Sequence, residues 1–172
     1  DFATSRRIWL SYAEPGSGDE AGRNGLAVGT GVLSADLSRL TQRRVIYRQT
    51  PKVASQGHFG ARLVAAGQGT MFVTLGDRQL RGERGKAQSL ANGHGKVVRI
   101  AWADGAVPAD NPFVATNDAQ PAIWCYGHRN VQGAALHPAA SLWLPLHLAL
   151  GVACYGLFGA AVVHAWLMGR AE

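Results

Sequence analysis

The chain has 172 residues, 22 of them glycine, and a formal net charge of +6. This length suits a single domain, and the glycine share is above the usual one. The basic balance would suit an anionic partner. However, Arg6, Arg7, Arg43, Arg44, Arg78, Arg81 and Arg84 are scattered with no interleaved aromatics, which argues against a nucleic-acid groove. The opening "DFATSRRIWL" reads as the inside of a domain, with no basic and then apolar leader.

Short apolar runs bounded by turn residues predict strands in chain order. The first is Ile8 to Tyr12, the second Leu26 to Leu33, and the third Arg44 to Tyr47. Residues 61–66 and 69–77 follow as a hairpin joined by the turn "AGQG". Further strands are expected in "GKVVRIAWADG" (95–105) and "AIWCYGHRN" (122–130), with another pair beginning in "GAALHPAASLWL" (133–144). Residues 79–95 form a long polar loop, and long loops in compact domains are often functional. Residues 104–121, rich in Pro and Asp-Gly, form a second loop that no central strand can cross. Roughly eight short strands at near-even spacing suit an all-β fold, either a sandwich or about two blades of a β-propeller.

Two cysteines, Cys125 and Cys154, make neither a disulfide framework nor a zinc site. The six histidines lack metal-ligand spacing, so no metal site is expected from this chain alone.

One histidine stands apart. His58 lies on a bend between Gly57 and Gly60, just before a predicted strand, with Arg62 four positions on. A lone histidine there is more often structural than catalytic. A hairpin, though, brings together the residues that flank its two strands, here His58 and Asp77. A carboxylate beside an imidazole fixes its tautomer and stabilises its protonated form, as a general base requires. The second constellation is "YGHRN" (126–130), a glycine bend followed by Arg129 and Asn130. Arg offers a rigid fork for carboxylates, and Asn offers both a donor and an acceptor. By pattern alone, a tight turn with a surface ion pair is the favoured reading of that stretch.

Together "GHFGARL", "TLGDR", "AQSLANGHGKVVRI", "DGAVPADNPF" and "YGHRNVQGAALHP" resemble, in this order, the PQQ-dependent soluble aldose dehydrogenases of the glucose/sorbosone type. The resemblance covers residues 1 to about 143 and implies a six-bladed β-propeller, of which this chain is a partial one. It implies His58 as the general base for the sugar's anomeric hydroxyl, and Asp77 as its paired carboxylate. It implies Arg129 as the arginine that contacts PQQ and polarises the reacting carbonyl, with Asn130 its neighbour at the cofactor. The partners implied are an aldose and an electron acceptor. The implied reaction is hydride transfer from sugar C1 to PQQ, giving a lactone. The implied location is periplasmic or secreted. Val131 stands where the family has Pro, and the acidic stretch implied to bind calcium has no counterpart here. A fragment of this kind is expected to be inactive by itself. The rival reading is a non-catalytic propeller or sandwich that binds partners.

From Leu142 to Met168 no Asp, Glu, Lys or Arg occurs, which is long enough to span a bilayer. An apolar helix is expected over 144–168, read as a membrane anchor, a buried helix or the product of a shifted reading frame. The last accounts best for a propeller that stops mid-repeat.

Overall fold

A computed structural model describes residues 2–136. After a single turn of helix α1 (Phe2–Ser5), three strands form an antiparallel sheet in the order β1-β2-β3. They are β1 (Arg7–Pro15), β2 (Asn24–Leu33) and β3 (Leu40–Arg48). Four more strands form a second antiparallel sheet in chain order: β4 (Gly60–Gly67), β5 (Thr70–Leu75), β6 (Lys96–Ala101) and β7 (Ile123–Tyr126). A four-stranded meander of this kind is the unit of a propeller blade.

The core follows from strand periodicity. On β6, Lys96, Val98 and Ile100 are buried, and the alternate residues Val97, Arg99 and Ala101 are half-buried. Val73, Leu75 and Ile123 join Val98 and Ile100 in one cluster with no exposure, and Leu26 and Val28 of β2 belong to it. Strand β2 is buried on both faces from Gly25 to Gly31, where small residues let its neighbours approach.

The ends of the strands depart from the sequence reading for local reasons. Strand β3 starts earlier, at Leu40, because Thr41 and Leu40 pair with Val32 and Leu33 on one side while the polar stretch faces solvent. The 95–105 run stops at Ala101, where the Gly105 N–H returns to the Ala101 carbonyl (2.9 Å) in an Asp-Gly turn. The 122–130 run shrinks to Ile123–Tyr126, because Gly127 takes a φ of +86° and turns the chain out of the sheet. The 79–95 loop carries a 3-10 segment at Arg81–Gln88. No strand forms over residues 133–136, and the rest of that expected pair lies outside the described residues, as does the apolar helix expected over 144–168. No helix among the described residues is long and apolar enough to cross a membrane.

Candidate active site

The β4–β5 hairpin sets up the first part of the site. Its outermost pair is Gly60 with Leu75, so two further residues along each strand bring His58 opposite Asp77. The register reaches that pairing through two slips, between Gly60 and Leu63 and between Ala65 and Gly67. Such bulges re-aim the end of a strand. His58 Nδ1 lies 2.6 Å from Asp77 Oδ1. A carboxylate oxygen accepts, so the Nδ1 proton is donated to Asp77 and Nε2 is left as the basic nitrogen. The Asp77 Oδ1 also accepts the Gln79 N–H at 2.9 Å, which fixes the carboxylate. Asp77 is 4% exposed.

The backbones of the two bends are locked together. The Gly76 N–H donates to the Phe59 carbonyl (3.0 Å), and the Arg78 N–H donates to that of His58 (3.3 Å). His58 holds a left-handed φ of +49°. A Cβ on Gly76 would sit 1.8 Å from the His58 carbonyl oxygen, so only glycine admits this approach.

Segment 127–131 joins from the end of β7. The Asp77 N–H donates to the Arg129 carbonyl (2.8 Å), and the Gly60 N–H donates to Asn130 Oδ1 (3.0 Å). The Thr74 hydroxyl donates to the Val131 carbonyl (2.6 Å). These bonds anchor the segment through its backbone and the Asn130 amide oxygen. The Arg129 side chain is exposed and makes no hydrogen bond or ion pair with a described residue. Asp77, Arg84, Ala87, Gln88, Gly127, His128 and Arg129 line one pocket of about 300 Å³. Two guanidiniums without a partner among the described residues, on an open pocket, suit an anionic ligand.

Beneath the pocket, Lys96 is fully buried and donates to the carbonyls of Lys86 (3.0 Å), Ala87 (3.0 Å) and His94 (2.5 Å). It thereby ties the 81–88 segment to the sheet. Burial lowers the ammonium pKa to about 8. His94, also buried, contacts the Pro51 carbonyl through Nε2 (2.9 Å) and Glu83 Oε2 through Nδ1 (2.8 Å). Burial is the main influence on it and pulls its pKa down.

Residues 1–147 match the Glucose / Sorbosone dehydrogenase family. The chain belongs to that family. It is 47% identical over 148 residues to the aldose sugar dehydrogenase YliI of Escherichia coli K12, covering 86% of this chain and 38% of that protein. A solved glucose dehydrogenase superposes with a TM-score of 0.72 at 48% identity, covering 81% of this chain and 41% of that one. The PQQ-bound aldose sugar dehydrogenase of Streptomyces coelicolor shares the fold at 19% identity, with a TM-score of 0.59 over 76% of this chain and 34% of its own. The chain therefore spans under two fifths of the length of the curated relatives it matches. Its fold is all-β, part of the β-propeller of the glucose/sorbosone dehydrogenases.

Of the residues singled out in the sequence, the structure brings His58 and Asp77 into contact, bonds the Arg129 carbonyl to the Asp77 N–H, and bonds the Asn130 amide oxygen to the Gly60 N–H. Arg62 stays outside, with its side chain in solvent on β4. Sequence reasoning missed Arg84, Gln88 and His128 in the pocket wall, and the buried Arg78 and Lys96. Lys96 had a legible signal, since it shares the inward register of Val98 and Ile100.

Proposed function

We propose that these residues form part of the site of a quinoprotein sugar dehydrogenase, which oxidises an aldose at C1 to the lactone. The carrying observation is the His58–Asp77 contact at 2.6 Å, beside a pocket lined by Arg84 and Arg129. The pocket fits pyrroloquinoline quinone, whose several carboxylates match guanidiniums that have no partner of their own among the described residues. When bound, the quinone supplies the hydride acceptor.

His58 takes the proton of the anomeric hydroxyl at Nε2, and Asp77 holds the ring in that tautomer and stabilises the imidazolium that results. Arg129 would contact the quinone when it is bound and would direct positive charge toward its carbonyl. Asn130, whose amide oxygen accepts the Gly60 N–H, keeps its NH₂ group to donate to a ligand. A separate electron acceptor completes the cycle. No three His, Cys, Asp or Glu side chains cluster among the described residues, so none of them is assigned to calcium.

The test joins this chain to the remaining blades of the E. coli relative and measures aldose oxidation with saturating PQQ and calcium. His58→Ala lowers kcat by about a hundredfold or more, the scale of a lost general base. A near-normal kcat would make the histidine a turn residue and remove the proposal.

A further inference from the structure

Arg78 follows Asp77 directly, is fully buried and has no carboxylate partner among the described residues. Four of its five N–H groups go to the backbone and side chain of neighbouring segments. Nε donates to the Gly57 carbonyl (3.2 Å), and Nη2 donates to the Ser55 carbonyl (2.8 Å) and to Asn24 Oδ1 (2.6 Å). Nη1 reaches the Asn24 carbonyl at 3.3 Å. The guanidinium also stacks over the Phe59 ring, 3.6 Å from its centroid. The Arg78 carbonyl in turn accepts the Ser55 hydroxyl at 2.5 Å. Every one of these contacts but those to Asn24 falls on residues 55–59, the segment that carries His58.

An uncompensated buried cation is costly, and here burial lowers the guanidinium pKa to about 10. An apolar side chain of similar length would fill the same volume at lower cost. What it could not do is hold two carbonyls of the 55–59 bend in a planar fork. Asp77 and Arg78 thus act on one bend, the first through the His58 imidazole and the second through the backbone on either side of residue 56.

We infer that Arg78 is a positioning residue for the His58–Asp77 pair: its guanidinium fixes the 55–59 bend so that the imidazole is presented to Asp77 at a single distance and angle. The inference rests on reading His58 as the general base, but its geometry is testable without catalysis.

The readout is the His58 Nδ1 proton in the full 172-residue chain, followed by NMR and assigned with His58→Gln. In Arg78→Lys and Arg78→Met that proton exchanges with water at least tenfold faster than in the parent, while amide dispersion stays native. Exchange within twofold of the parent in both folded variants overturns the inference. Should either fail to fold, Asn24→Ala decides. It removes only the distal end of the fork and raises exchange about threefold, and unchanged exchange there also overturns it. A His58→Ala protein with near-normal kcat would instead remove the catalytic reading and leave the exchange result standing.

Discussion

Strands β5 and β6 of the four-stranded sheet bury Val73, Leu75, Val98 and Ile100 completely, whereas β3 of the three-stranded sheet leaves Thr41, Gln42, Arg43 and Arg44 in solvent. The residues proposed for the reaction all leave from the ends of the well-packed sheet: His58 before β4, Asp77 after β5, and Arg129 and Asn130 after β7. The three-stranded sheet contributes to these residues from the end that carries Asn24 and Gln49. There Asn24 receives the Arg78 fork, and just past β3 the buried Gln49 donates to the carbonyls of Gly76 (3.1 Å) and Gly93 (2.9 Å). Strands with close-packed side chains transmit position; a solvated edge does not. The base proposed here, His58, needs its partner within a few tenths of an ångström, and it sits where the packing is tight.

That contrast can be broken at its tightest point. Gly76→Ala drives a methyl into the His58 carbonyl, where neither backbone can yield, and is expected to destabilise the chain by about 4 kcal/mol in urea unfolding. A loss under about 1 kcal/mol would show that the two bends are not locked. Next comes the core beneath them. Leu75→Ala empties a fully buried site at the end of β5 and should cost about 3 kcal/mol by the same measurement.

The buried ammonium sharpens the comparison through pH. Lys96 has its folded pKa depressed to about 8 from an ordinary 10.5. Below pH 8 both states are charged and the desolvation penalty stands in full. Between about pH 8 and 10.5 the unfolded chain holds more protons, so stability rises with pH through that window. Relative to Lys96→Met, the parent should gain about 1 kcal/mol between pH 7 and pH 9. A flat difference would mean that the carbonyls of Lys86, Ala87 and His94 repay the charge fully. The smallest effect belongs to the solvated edge: Arg43→Ala on β3 should change unfolding free energy by less than about 0.5 kcal/mol. A larger loss would mean that this edge carries structure after all.

Much of this was legible in the sequence because it is local. The strands follow from apolar runs cut by glycine turns, and β4 and β5 are joined by the short turn around Gly67 and Gly69. A short hairpin dictates that its flanks meet, which is why His58 and Asp77 could be paired from spacing alone. The strand ends were less legible. Whether Gly127 and Gly105 turn the chain depends on positive φ values and on carbonyls that accept their N–H groups, and a composition pattern records neither.

By itself, then, the sequence determined the all-β class, the glycine-bounded strands, the family motifs and the His58–Asp77 pair, whose two residues are 19 positions apart. Tertiary structure decided the rest. The bond from Gly60 to Asn130 spans 70 residues, and the one from Arg78 to Asn24 spans 54. Such contacts exist only once the sheets have formed, since closing long loops is repaid only by the packing that follows. The same holds for the buried cations. Arg78 and Lys96 look like surface residues in a basic chain, and only the folded carbonyls around them make their burial tolerable.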